Sequence, residues 1–459
     1  MSKEMIQKTN QLIKKHNIEV IDLKATDLVG RLQHLSLPVG KGIVERLVKE
    51  GVGFDGSSYG FRKVENSDMV MIPDLKTAVI DPFREAVTLS FYCNIHLTDQ
   101  QRTIFSQDGR NIVLKAEQLL KKVTGADKAM WGPEFEFYIF SKVEYDTRTA
   151  SSYYQVQHEE EFYNRAYHAT NPFDLYDDFR DEACKILNNL GIDVKYHHHE
   201  VGERGQQEIE TYFNDTLSTS DNIITVKYIL FNLAREKGLF ITFMPKPMYQ
   251  QAGNGMHLHM FLTKNGKNVF YKKGVYGNIN DIGKYFIGGL LRHGPSLSAF
   301  TNPSTNSYKR LVPGFEAPVA LTFGQGNRAS AIRIPKYVSN PKETRFEYRP
   351  PDATANPYLA TSAMLLAGID GIVNKINPEV EGYGPNDKNI DEYTKDDIKF
   401  LPKNLGEALD ALETDNEYLK VNDIFNDELL NQWIKIKDEE IKSIATMPHP
   451  FEYKMYFTL

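Results

Sequence analysis

The run Trp131-Gly132-Pro133-Glu134-Phe135-Glu136-Phe137-Tyr138 sets two glutamates at i and i+2 in a strand-like segment. Alternation along an extended chain sends both carboxylates to one face and Phe135 and Phe137 to the other. The aromatic flanks argue for burial, and two buried carboxylates repel unless a cation lies between them. Read alone, the pair fits a metal site and a solvated face about equally.

Three further segments repeat the pattern. His197-His198-His199-Glu200 is joined to Glu208 by a glycine-containing loop, although a triple histidine can also be a wet surface strand. Gly253-Asn254-Gly255-Met256-His257-Leu258-His259 carries two histidines at i and i+2 behind a glycine loop, an arrangement more often found at ligand or substrate contacts than in a core. Arg345-Phe346-Glu347-Tyr348-Arg349 alternates charge with aromatics; by itself it could be a structural ion-pair network. Several strands, each with same-face charges backed by apolar residues, favour one shared charged cavity. Glu134, Glu136, Glu200, Glu208, Glu347 and His257 would suit hard divalent ions, Mg²⁺ or Mn²⁺. Arg310, Arg328 and Arg333 add guanidinium forks, which suit phosphate and carboxylate. A substrate that gains negative charge on the way to the transition state meets both demands, and phosphoryl transfer is such a reaction.

The elements that must position these residues are legible from periodicity. Strands are expected at Met130–Phe140, Gln207–Phe213, Phe240–Phe243, Met256–Leu262, Ser330–Ile334 and Arg345–Arg349. Helices are expected at 111–123, Leu175–Leu190, Asp221–Lys237, Ile282–His293 and Pro357–Val373. Ahead of them, about 100 residues form a small mixed unit. Its strands are expected at Val20–Leu23, Arg31–Leu37, Met69–Ile72, Thr77–Ile80 and Ala86–Ile95, with a helix at Val44–Lys49. The tail, Met447 to Leu459, carries four aromatic rings and should bury against its own chain or another subunit.

Composition narrows the class. The 459 residues hold 54 Lys+Arg against 61 Asp+Glu, a net charge of −7, which argues against a general nucleic-acid binder. Two cysteines, Cys93 and Cys184, make no disulfide framework and fit a reducing cytoplasm. No secretory leader and no membrane span is expected. Gly51-Val52-Gly53-Phe54-Asp55-Gly56 mimics a dinucleotide loop, but it follows a helix rather than a strand. Gly56-Ser57-Ser58-Tyr59-Gly60 mimics a hydrolase elbow without the preceding sheet.

Taken together, the ordered blocks Gly132–Phe137, His197–Val201, Phe243–Pro247, Gly255–His259, Asn302–Pro313, Ile332–Pro335 and Pro351–Tyr358 resemble glutamine synthetase of the type I, bacterial and archaeal class, over nearly the whole chain. The resemblance implies an α+β fold: an N-terminal β-grasp domain over 1–103 and a catalytic domain over 104–459, with a curved antiparallel sheet flanked by helices. It implies ATP-dependent ligation of ammonia to glutamate through γ-glutamyl phosphate. Glu136, Glu200 and Glu208 would hold one metal; Glu134, His257 and Glu347 a second. Arg310, Arg349, Gly253 and His257 would bind glutamate. Arg328 and Arg333 would stabilise the transferred phosphate, and His259 and Arg345 would lie at the nucleotide. Asp55 of an adjacent subunit would bind ammonium, and Glu316 would close over glutamate and take a proton. Two stacked hexameric rings, a dodecamer with the tail inserted into the opposite ring, are implied, and a nitrogen-signalling protein is a further candidate partner.

Two departures stand out. The family's usual Asn-Gly-Ser-Gly reads Ala252-Gly253-Asn254-Gly255, and Asp391 stands where adenylylated members carry tyrosine. The rival readings are a γ-glutamyl amide ligase acting on polyamines or small amines, and an inactive regulatory homologue. The acid at position 55 speaks against the first, and the filled metal-ligand positions against the second.

Overall fold

The computed structural model describes residues 3–160, 162, 165–312, 317–387 and 398–459; Glu316 and Asp391 lie outside them. The first strands are β1 (Val20–Thr26), β2 (Leu32–Pro38), β3 (Val52–Asp55), β4 (Asp68–Pro73), β5 (Val79–Ile80) and β6 (Thr88–Leu97). They form one sheet in the order β2-β1-β6-β4-β3, with β5 beside β6 and with β1 and β6 parallel. The helix Ile43–Glu50 buries Ile43, Val44 and Leu47, one turn apart on one face, and stops at Gly51, whose φ of 68° favours glycine. The expected strand Thr77–Ile80 is shorter than its residues suggest. Asp74 caps a 3-10 turn at Leu75–Thr77 through the Lys76 amide, which leaves only β5 extended.

The larger sheet contains β7 (Lys128–Phe140), then after the hairpin β8 (Lys142–Arg148) and β9 (Ser151–Gln157), β10 (Val194–His199), β11 (Gln206–Thr211), β12 (Asn214–Asp215), β13 (Phe240–Thr242), β14 (Leu258–Lys264), β15 (Lys267–Asn268), β16 (Ala320–Gln325), β17 (Ser330–Ile334) and β18 (Phe346–Tyr348). Its spine runs β10-β11-β7-β14-β18-β17-β16. Pairing along the spine is antiparallel except at the edge, where β16 and β17 are parallel. The apolar face of β7, with Phe135 and Phe137 fully buried, packs in one cluster with Ile223, Val226 and Leu230 of the helix Thr216–Glu236. That burial is what turns Glu134 and Glu136 the other way.

The helices Gly109–Thr124, Asp177–Asn189, Asp281–Arg292 and Pro357–Val373 fall within a few residues of expectation. The last reads as a near-continuous apolar run because all but a few of its residues are buried. The hairpin β8–β9 was not legible: its charged residues and exposed Tyr145, Tyr153 and Tyr154 show no buried face.

The tail overturns one expectation. It does not bury against its own chain: Phe451, Tyr453, Tyr456 and Phe457 are exposed on a short helix, Pro450–Tyr456, capped by His449 and Glu452. Among the described residues, no helix is long and apolar enough to cross a membrane.

Candidate active site

Strand register brings the charged positions together. The β11–β7 pairing sets Glu208 opposite Glu136 and Glu210 opposite Glu134. The β10–β11 pairing sets His198 opposite Glu208, and β14–β18 sets His259 opposite Glu347. Arg333 on β17 faces Glu347. Carboxylates directly across a ladder are normally destabilising, so a sheet that stacks them this way needs compensating charge.

Most of these side chains line a cavity of about 390 Å³, in which Glu134, Glu136, Glu200, Glu208, Glu347 and His257 face Arg310, Arg328, Arg333, Arg349 and Gly253. His257 stands at its centre. Its Nδ1 lies 2.9 Å from Glu134 and 3.6 Å from both Glu136 and Glu347, and the Arg310 guanidinium approaches its Nε2 at 3.2 Å. Glu347 is bound by both Arg333 and Arg349. Burial would raise its carboxyl, but Arg349 and the neighbouring cations hold it down at about 2. Glu134 also stays low: burial opposes ionisation, and His259 and His257 overcome it.

Glu200 and Glu208 go the other way. Burial pushes both carboxyls well up, and surrounding carboxylates push further, Glu136 and Glu208 on Glu200, and Glu134 and Glu136 on Glu208. Carboxylates this close and this buried repel one another when ionised together unless a cation joins them. Ligand atoms of His198, Glu200 and Glu208 lie within 4.8 Å of one another, as do those of Glu134, His259 and Glu347. An oxygen-rich donor set with uncompensated charge fits hard divalent cations.

Other expected residues fall elsewhere. His259 and Arg345 are buried behind the cavity lining rather than on it: His259 Nε2 is 2.7 Å from Glu134, and Arg345 Nε is 3.4 Å from His259. Asp55 lies on the edge strand β3, outside the cavity lining. Its carboxylate accepts from the Ser57 hydroxyl (2.7 Å), the Ser57 amide (2.9 Å) and the Ser58 hydroxyl (2.9 Å). Those bonds, the Ser57 hydroxyl first, hold it below the usual carboxylate range. Sequence reading missed His198. His198 reaches 3.3 Å from Glu208, while His197 and His199 turn to Asp181 and Glu160. Alternation along the histidine run was the available signal for His198.

A sheet that gathers five glutamates and four arginines round one cavity, beside a β-grasp-like unit, defines an enzyme of acidic-metal and phosphate chemistry. Comparison with known families makes this specific. The profile of the glutamine synthetase β-grasp domain matches residues 17–98, and that of the glutamine synthetase catalytic domain matches residues 106–456. The chain belongs to the glutamine synthetase family, ATP-dependent ligases that join ammonia to glutamate. It is 41% identical to a glutamine synthetase of Frankia alni, over 97% of this chain and 98% of that one. It is also 41% identical to a glutamine synthetase of Mycolicibacterium smegmatis, over 99% of this chain and 100% of the relative. Among solved structures, a Plasmodium falciparum glutamine synthetase superposes with a TM-score of 0.89 at 29% identity, covering 98% of each chain. A GmaS/ADP complex superposes with a TM-score of 0.82 at 26% identity, covering 98% of this chain and 99% of the other.

Proposed function

We propose that this cavity joins ammonia to L-glutamate, with ATP as the energy source, through γ-glutamyl phosphate. The observation that carries the reading is the convergence of Glu134 and Glu136 of β7, Glu208 of β11 and Glu347 of β18, with Arg310, Arg333 and Arg349, on one cavity. Arg310 and Arg349 clamp the glutamate carboxylates, with Gly253 and His257 beside them. The γ-carboxylate oxygen attacks the terminal phosphorus of ATP, the bond to the bridging oxygen breaks, and ADP leaves. Arg328 and Arg333 face the charge spread over the transferring group. Two hard divalent ions, Mg²⁺ or Mn²⁺, held by Glu136, Glu200 and Glu208 and by Glu134, His257 and Glu347, supply when bound the positive charge that this group demands. His259 and Arg345, behind Glu134, orient that side of the site toward the nucleotide.

Ammonia then attacks the acyl carbon, phosphate departs, and the proton lost from ammonium passes to a carboxylate. Asp55, held ionised by its serine cage, is suited to attract ammonium. Because it lies away from its own chain's cavity, it serves the site of a neighbouring subunit. Glu316 would close over glutamate and share the proton transfer. The exposed aromatic tail supports assembly into two hexameric rings, with the tail seated on the opposite ring. Two buried free thiols are in keeping with a cytoplasmic setting.

The deciding experiment is phosphate release from ATP plus glutamate with ammonium, ethylamine or putrescine as acceptor, in wild type and Asp55→Ala. Ammonium should be preferred, and Asp55→Ala should lose most of that rate. A higher rate with either amine would transfer the assignment to a γ-glutamyl amide ligase. No release with any acceptor would point to the inactive homologue.

A further inference from the structure

The loop Ala252–Gly255 is tied down at several backbone groups. The Tyr138 hydroxyl donates to the Ala252 carbonyl (2.8 Å), and the Gln206 side-chain amide donates to the Gly253 carbonyl (3.0 Å). The amide of Asn254 donates to the Pro245 carbonyl (2.8 Å), and that of Met256 to the Pro351 carbonyl (2.8 Å). The Gly255 amide donates to the Glu136 carboxylate (2.6 Å). Among the described residues, the N–H groups of Ala252 and Gly253 have no acceptor, and both residues line the cavity.

The Asn254 side chain is fully buried and its hydrogen bonds are all internal. Its amide nitrogen donates to the carbonyls of Met244 (2.9 Å) and Thr242 (3.3 Å), and its oxygen accepts from Gln206 (3.0 Å). Gln206 in turn accepts from the Gly202 amide (2.8 Å). The two side chains therefore bridge the start of β11, the exit of β13 and the glycine loop. The loop also presses on the substrate residues. A Cβ added at Gly255 would lie 2.5 Å from an Arg310 nitrogen and 2.6 Å from His257 Nε2, and one at Gly253 would lie 2.7 Å from Arg310 Cγ. Backbone this close to Arg310 and His257 cannot slide without moving them.

We propose that Gln206 and Asn254 form a positioning pair that fixes the Ala252–Gly255 backbone against Arg310 and His257, and so sets the affinity for the amino-acid substrate. The proposal rests on the reading of this cavity as the glutamate site. With alanine at position 252 the loop offers that substrate only its backbone, so the loop's share of the recognition, beside that of Arg310 and Arg349, rests on where two N–H groups are held. A buried amide that satisfies two strand-end carbonyls and one partner amide is what holds that placement.

Steady-state kinetics on the metal-loaded full chain test this. Asn254→Ala should raise KM for glutamate roughly tenfold or more, with KM for ATP within about twofold of wild type. Asn254→Ser, which keeps an acceptor for Gln206, should recover part of the loss. Asn254→Asp, which turns an acceptor toward two carbonyls, should not. Gln206→Leu should raise the same constant, and the double variant should fall short of the product of the two. Equal changes in both KM values and kcat, or no change in any, would overturn the pair. Amide hydrogen exchange supplies a readout that does not depend on turnover. In Asn254→Ala, the amides of 254–256 should exchange faster while the rest of the sheet is unchanged; unaltered exchange overturns the proposal. If the wild type releases no phosphate with glutamate, the functional reading fails, and the exchange result alone decides the pair.

Discussion

Two buried polar clusters in this molecule are built to opposite ends. The first joins the small domain to the large one. Arg110, 3% exposed, reaches Asp74 (2.8 Å), Asn94 (3.1 Å) and Asp221 with its guanidinium, and the Tyr358 hydroxyl donates to Asp221 (2.7 Å). Every charge there finds a partner within the chain. The second is the cavity, where Glu200 and Glu208 press against Glu134 and Glu136 with His198 as the nearest cationic candidate. A closed network is a joint. An open one is a binding site, because its missing charge has to come from a ligand.

The largest effect should come from breaking the open cluster. Glu208→Gln should lower metal-dependent phosphate release by roughly a hundredfold or more. In the wild type, a chelator should remove activity, and Mn²⁺ or Mg²⁺ should raise the melting temperature. A variant whose activity and metal-induced stabilisation are unchanged would show that the acids need no cation.

Next comes the closed cluster. Arg110→Met strands Asp221 and should destabilise the fold by about 3–5 kcal/mol, read as a lowered denaturation midpoint, whether metal is present or not. Dependence on metal would erase the contrast between the clusters.

A smaller effect sharpens the boundary of the joint. Asp108, at the start of the helix Gly109–Thr124, is pushed by burial up to about 7, even with Arg110 near. The folded chain therefore keeps a proton that the unfolded chain releases near pH 4, so the associated stability is present at low pH and declines as pH rises toward about 7. Asp108→Asn should abolish that decline, so its stability advantage over wild type should grow between about pH 5 and about pH 7 in thermal melts. A constant difference across that window would reject the buried acid.

The smallest effect on the protomer should come from removing residues 447–459. The tail's side chains are exposed, so secondary structure by circular dichroism should be unchanged. Mass in solution, by light scattering, should fall if the tail joins two rings. An unchanged mass would reject the tail as a contact between copies of the chain.

Much of this was legible locally. Glu134 and Glu136 alternate with two phenylalanines, so a single strand already shows which way they point, and Phe135 and Phe137 are in the core as that alternation requires. The helix Pro357–Val373 was legible end to end because its apolar run begins at a proline and outlasts any strand. The Arg110 joint was invisible, since Asp74 and Asp221 are distant in the chain and no local period links them. The β8–β9 hairpin was invisible because no burial imposes a pattern on it.

By itself, the sequence determined the chemistry: which side chains can ligate, clamp or attract charge, and which face of each strand they occupy. Those properties follow from residue type and from the two-residue repeat of an extended chain. Only the tertiary structure decided the meeting of these faces. The register between β11 and β7 sets Glu208 against Glu136, His198 and not its neighbours turns to Glu208, and Asn254 turns inward to hold the loop. Register, loop path and domain docking are set by burial summed over the whole core, and no short stretch of residues contains that sum.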